Sequence, residues 1–586
     1  MSDLPAAPAD VPPFDRRFLE GDRRFTRIGN GPLGGKASGL LSVRRGLRDL
    51  FRPEAFPAFA VDVPALAVLT ADAFETFVRE NGLADVARSD APDEVIADAF
   101  QRGSLPAHLV GDLRALAEGL RRPLAVRSSS LLEDARESPF AGVYLTKMLP
   151  NNQPDADARF RRLSEAVKLV YASTFFRAAK AYRTAARVGE GQERMAVVLQ
   201  EVVGRRHGDR FYPDVSGVAR SWAWYRTGRT RPEDGVVQLA LGLGKQIVDG
   251  GVSWTYSPAR PKARPPFASA RASLKETQTE FWAVNMGRPP AHDPIRETEY
   301  LVRAGLADAE FDGTLRRIAS TYDAASDRIL PGTSRDGPRV VDFAPLLVHE
   351  SVPVNALLRA LLAACEGCQG GPVEIEFALT FEPDGEVPVR FGLLQSRLMA
   401  VSDETVDVPE EPPPGWRTLV SSRDAMGNGV TEGIADVVWV DRRGWEMRRT
   451  GEAAEGIAAV NAGLLAEGRP YLLIGFGRWG SSDPWLGIPV AWGDIAGARA
   501  IVEASPPERG IEVSQGSHFF HNIASFRVGY LCVPSGREEA VDWSWLEGLA
   551  ASAAGPVRHA RLPSPLRVEV DGRSGRGMIW RPEATS

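Results

Sequence analysis

At 586 residues with 44% hydrophobic side chains, the chain has apolar material for several buried cores, and a prior of about 100–200 residues per domain predicts three to five folded units. Its 70 basic residues stand against 76 acidic ones, a net charge of -6, which excludes the global basic field of a nucleic-acid binder or a coat for anionic membranes. An anionic ligand therefore needs a local site.

The opening MSDLPAAPADVPPF has no basic start followed by an apolar run, and no stretch approaches the ~18 apolar residues of a membrane span, so no membrane partner and a cytoplasmic location are expected. Residues 1–20 are rich in Pro and Ala and read as a loose segment. NGPLGGKASGLLSVRRGL, from residue 30, reads as a glycine turn opening a helix, and VDVPALAVLTADAFETF as a strand followed by a helix. In LAVRSSSLLEDARESPFAGVY, 124–144, an apolar run meets Arg127 without the spacing of an amphipathic helix or the alternation of an exposed strand, which predicts a buried strand delivering a polar cluster to a cleft. Helical sequence follows over 155–187, then MAVVLQEVVG as a buried strand and GVVQLALGLGKQIVDGG as strand, glycine turn and short continuation. Residues 257–295 read as an excursion or lid. The fold class is α/β, in the α+β sense.

VEIEFALTFEPDGEVPVRFGLLQSRLMA, 373–400, has the alternation and turn chemistry of a hairpin. Glu374 and Glu376 lie two apart on one strand, and Gln395 and Arg397 two apart on its return, so one face holds all four. Two carboxylates and an amide oxygen suit Mg²⁺, and a neighbouring arginine suits phosphates; an exposed strand face with a salt bridge remains the plainer reading of this segment alone. Lys36, in LGGKAS, stands at a helix start that can hold an anion, although the segment lacks the pattern of a P-loop. Lys245, in GLGK, reads as part of a plain turn. The CEGC pair, Cys365 and Cys368, reads as a structural helix end, because no second pair completes a zinc site.

Taken in order across residues 30–400, LGGKASGL, VPALAVLTADAFETF, RSSSLLEDARESPFAGVY, MAVVLQEVV, LALGLGKQIVDGG and EIEF with LLQSRLM closely resemble the nucleotide-binding domain of the phosphoenolpyruvate synthase and pyruvate phosphate dikinase family, an ATP-grasp fold. The resemblance implies an ATP-grasp domain over 21–400, a Pro- and acid-rich linker over 401–416, and a smaller mixed α/β unit over 417–586. It implies ATP and Mg²⁺ as ligands. Lys36, Arg127 and Arg397 would contact phosphates and act in catalysis. Glu376 and Gln395, with Glu374 beside them, would hold the metal, and Gln200, Glu201 and Val203 would lie against the adenine.

Two departures limit what is carried over. SGVARSWAWY, 216–225, replaces the family's Gly-Val-Met-Phe-Thr strand, and the back half shows neither a Thr-x-His-Ala phosphohistidine motif nor room for a barrel of ~250 residues. The sequence therefore predicts an ATP-dependent phosphotransferase with an unidentified acceptor, a small molecule or a partner protein, and not a complete phosphoenolpyruvate synthase. A non-catalytic regulatory protein that senses ATP is the alternative. In the C-terminal unit, the GxGxxG spacing at Gly475, Gly477 and Gly480 is not a dinucleotide fingerprint, because Pro484 and Gly487 interrupt the helix such a motif needs. His518 and His521, in SQGSHFFHNI, are candidate internal phosphate acceptors or ordinary packed histidines.

Overall fold

Apolar runs with no alternation place their strands between two covering layers, and the sheets that position the site are of this kind. The computed structural model describes residues 8–9, 11–18, 24–133, 142–186, 188–189, 193–224, 230–263, 269–382, 388–401, 406–481, 485–505, 522–534, 536 and 540–583. A five-stranded sheet runs in the order Phe25–Ile28, Leu66–Leu69, Met195–Glu201, Leu124–Ser130, Thr146–Leu149. Every residue of its Leu66–Leu69 and Met195–Glu201 strands is buried. Helices Ala71–Glu80, Asp93–Arg102, Ala107–Gly119 and Ala156–Ser173 cover one face through Phe77, Phe100, Leu113 and Tyr171.

A six-stranded sheet faces it across the site, in the order Trp254–Tyr256, Val236–Ala240, Val215–Arg220, Val373–Thr380, Val389–Leu398, Phe59–Asp62. Its hairpin pairs Glu374 with Arg397 and Glu376 with Gln395, and the register shifts between Glu376 and Phe377. The helices Gly35–Leu50 and Val354–Gln369 pack together on this side, and the reason is visible at Gly46: a Cβ there would meet Cys368 Sγ at 2.7 Å. Cys368 Sγ donates to Cys365 O at 3.3 Å inside the helix, which gives the CEGC pair a structural place. The stretch read as an excursion holds helix Ala270–Glu276 and strand Glu280–Asn285, the latter in a four-stranded sheet with Leu301–Gly305.

Residues from Trp416 onward build a separate nine-stranded sheet. At its centre Asn428–Val440, Tyr471–Phe476, Ala498–Ala504 and Gly529–Val533 run parallel, with helix Thr450–Ala466 as the first crossover. Among the described residues that follow Phe476 directly no helix opens; Arg478–Trp479 pairs instead with Gly487–Ile488 as a short ribbon, and Gly477 and Gly480 take positive φ there. The segment before Trp416 is not wholly loose, since Val408 is buried against Met578 and Trp580. The molecule is mixed α/β throughout.

The C-terminal unit docks on helix Arg177–Ala185 through the turn Trp492–Asp494 and through Asn522 and Phe526. Tyr182 Oη donates to Asn522 Oδ1 at 3.1 Å, and its ring lies 5.4 Å from that of Phe526. Gly493 lies so close to the helix that a Cβ would meet Ala181 Cβ at 2.7 Å. One continuous apolar core joins Ala179 and Tyr182 to Trp492 and Ile495. Among the described residues, no helix is long and apolar enough to cross a membrane.

Candidate functional site

The three serines after Arg127 each hold a different piece of the site in place. Ser128 Oγ accepts from Lys36 Nζ at 3.1 Å and donates to Glu133 Oε1 at 3.1 Å, while Lys36 Nζ also bonds Glu133 directly. Ser129 Oγ accepts from Ala37 N at 3.1 Å and donates to Leu33 O at 2.9 Å, fastening the helix that carries Lys36. Ser130 Oγ donates to Glu193 and accepts from Leu132 N at 3.0 Å. Burial pushes the Glu193 carboxyl above its ordinary range, against hydrogen bonds from Ser130 and Tyr144 that favour the charged form. The helix can approach this strand because residue 34 is glycine: φ is 77°, and a Cβ would sit 1.6 Å from Ser129 O.

Arg127 links both sheets. Its Nη1 donates to Gln200 Oε1 at 3.2 Å and to Leu394 O at 2.7 Å, and its Nη2 donates to Glu376 Oε2 at 2.9 Å and to Gln395 Oε1 at 2.7 Å. The guanidinium is thus anchored on the Met195–Glu201 strand of one sheet and the hairpin of the other.

These side chains surround a cavity of about 620 Å³. Lys36, Arg127, Gln200, Glu201, Val203 and Glu376 all line it. Its apolar part is formed by Ala125, Met148, Val202, Leu243 and Leu301 around the Met195–Glu201 strand, a surface suited to a flat ring. Gln200 Nε2 is buried without a hydrogen-bond partner among the described residues. Val203 reaches this wall over Gly392, where a Cβ would meet Val203 Cγ2 at 2.5 Å. The Glu201 side chain is held from behind, its Oε1 accepting from Arg122 Nη1 at 2.9 Å and Arg390 Nη1 at 3.1 Å. Burial raises the Glu297 carboxyl, also on the wall, while Lys245 opposes the shift.

Not every expected residue reaches the wall. Glu374 and Arg397 share the predicted hairpin face, but they lie behind the cavity lining in a buried ion cluster. Arg397 Nε donates to Glu374 Oε1 at 3.0 Å, and Arg220 Nε donates to Glu374 Oε2 at 2.6 Å. Both oxygens of Glu374 are therefore paired with arginines, and Glu374 and Arg397, expected as a metal ligand and a phosphate contact, do not line the cavity. The physical reason is Arg220, which the departing SGVAR strand introduces; Arg220 Nη1 also donates to Gln238 Oε1 at 3.1 Å. Gln395 is equally buried but touches the site through Arg127. Lys36 is buried and lines the cavity wall. His518 and His521 lie outside the described residues.

Sequence reasoning missed Glu133 and Arg220. Glu133 was in plain view five residues after Ser128, but its partner Lys36 stands 97 positions away in the chain. The opposite wall comes from the C-terminal unit: Arg478 and Ser481, which the sequence reads as a polar loop facing a ligand or an ordinary turn, line it together with Trp479, Trp492 and Asn522, which carried no such signal.

Residues 31–412 match the family model described as pyruvate phosphate dikinase, AMP/ATP-binding domain. No curated protein matches the chain.

Proposed function

The chain belongs to the pyruvate phosphate dikinase AMP/ATP-binding domain family, and from that premise we propose that it is a Mg²⁺-dependent phosphotransferase that uses ATP in an ATP-grasp type cleft. The observation that carries this reading is the convergence of Gln200, Glu376 and Gln395 on the Arg127 guanidinium at the wall of one cavity. Adenine lies in the apolar part, where Gln200 Nε2 meets a ring acceptor. Lys36 and Arg127 bind the phosphates, Arg127 through its planar fork.

The donor set fits Mg²⁺. Glu376 Oε2 and Gln395 Oε1 both accept from Arg127 Nη2, so two hard oxygens converge within the reach of one nitrogen. Glu376 and Gln395 would hold the metal, which when bound would supply charge neutralisation to the phosphates. Glu374 instead fixes the hairpin from behind. When nucleotide enters, the Arg127 and Lys36 cations exchange part of their pairing with Glu376 and Glu133 for phosphate oxygens. Phosphoryl transfer needs little more from the protein, because positioning and charge neutralisation supply most of the catalysis. The acceptor is a small molecule or a partner protein reaching this cavity.

Chromatography of the nucleotides formed from ATP and Mg²⁺ tests the reading. The wild-type chain should convert ATP to ADP or AMP in the presence of its acceptor, and Glu376→Gln should lose at least about a hundredfold in rate. Equal turnover by Glu376→Gln would remove the metal assignment.

A further inference from the structure

Two ladder pairs between strands Leu124–Ser130 and Thr146–Leu149 set successive levels of the cavity wall: Ala125 pairs with Met148, and Arg127 pairs with Thr146. Side chains alternate along a strand, so both pairs belong to one face of the sheet, and all four residues line the cavity. The first pair belongs to the apolar part, with Leu243 and Leu301 packed in the same cluster, and the second carries the guanidinium that reaches Glu376. The segments that supply Leu243 and Leu301 also bring Lys245 and Glu297 to the wall. Glu297 is tied to the second level, its Oε1 accepting from Thr146 N at 3.3 Å. Among the described residues its Oε2 accepts no hydrogen bond. Lys245 Nζ lies 3.1 Å from Asp249 Oδ2, and its charge works against the burial that disfavours an ionised Glu297.

We propose that Glu297 binds the ribose hydroxyls of the nucleotide, so that the site selects ribonucleotides over their deoxy forms. The inference rests on the ATP reading above and deepens it. With the ring in the apolar part beside Ala125 and Met148 and the phosphates on Arg127, the sugar that joins them crosses from the first ladder pair to the second, and the second is where Thr146 holds Glu297. An ionised carboxylate only accepts, which repels phosphate oxygens and suits a hydroxyl, and a ribose offers two hydroxyl donors side by side. A hydrogen bond from a hydroxyl to a carboxylate is charge-assisted and stronger than a neutral one, and acidic side chains serve ribose hydroxyls in dinucleotide sites in the same way.

Calorimetric titration of the full chain with Mg²⁺ and either ATP or its dideoxy analogue, which lacks both ribose hydroxyls, decides this, using wild type, Glu297→Ala and Glu297→Gln, with melting temperatures confirming folding. The wild-type chain should bind ATP about tenfold or more tightly than the analogue. Glu297→Ala should weaken ATP by a similar factor and leave the analogue within about twofold, so that the preference disappears, and Glu297→Gln, which keeps an acceptor oxygen, should retain part of it. A wild-type chain that binds both nucleotides equally overturns the inference, and so does a Glu297→Ala chain that keeps the full preference or loses both nucleotides to the same extent. A wild-type chain that binds no ATP overturns the underlying nucleotide reading instead, which separates the two failures.

Discussion

Arg127 makes its hydrogen bonds to Gln200, Glu376, Leu394 and Gln395, and these acceptors come from strands as far as 268 positions away. That such a residue was legible at all follows from its local setting, since an arginine ending an apolar run before three serines has no use in a plain strand. Glu376 and Gln395 were legible for a related reason: alternation on a hairpin fixes which side chains share a face. Alternation could not say how deep along that face the cavity extends. Glu374 obeys the same rule, yet it is buried between Arg220 and Arg397, and nothing local to SGVAR announces a partner 154 positions later. Because both arginines pair with that carboxylate, Glu374→Gln should destabilise the chain by about 3–5 kcal/mol, the cost typical of breaking a buried ion cluster. Denaturant unfolding measures the loss, and ATP affinity of the folded fraction should change by no more than about threefold. A Glu374→Gln chain that is stable but no longer binds Mg²⁺ with ATP would restore Glu374 to the metal site.

The site is built where helix Gly35–Leu50 lies against strand Leu124–Ser130. Burial patterns in these two elements follow from sequence, and the glycine turn before the helix was readable. Its purpose was not: Gly34 combines φ 77° and ψ 174° with a backbone approach to Ser129 that leaves no room for a Cβ. That φ/ψ region is essentially restricted to glycine. Gly34→Ala should therefore cost more than about 2 kcal/mol in stability and loosen Lys36 from Ser128 and Glu133. A paired control, Gly82→Ala, also replaces a positive-φ glycine but meets no atom within 4 Å, so it isolates the backbone term. Thermal unfolding of the two variants should show the larger drop for Gly34→Ala; equal drops would mean that the close approach to Ser129 contributes nothing. The Met195–Glu201 strand makes the complementary point. Its apolar run predicted burial, and the structure adds that the Glu201 carboxylate is paired with Arg122 and Arg390, so its charge is balanced by arginines.

Across the whole molecule, the two halves of the sequence make one cavity. The order of motifs over residues 30–400 made the nucleotide domain readable, and the strand and helix signals after residue 416 made the second unit readable as mixed α/β. Their joint wall was hidden because it depends on Gly493 meeting Ala181 and Tyr182 meeting Asn522, contacts between segments with no shared local pattern. ATP binding in this cavity, organised by Arg127, is tested most directly by calorimetric titration of the full chain with ATP and Mg²⁺, wild type beside Arg127→Lys. Saturable binding to the wild-type chain at one site is expected, with at least about tenfold weaker binding to Arg127→Lys, which keeps the charge but loses the fork that ties Gln200, Glu376 and Gln395 together. Equal affinity in the two proteins, or no binding to the wild-type chain, would rule it out.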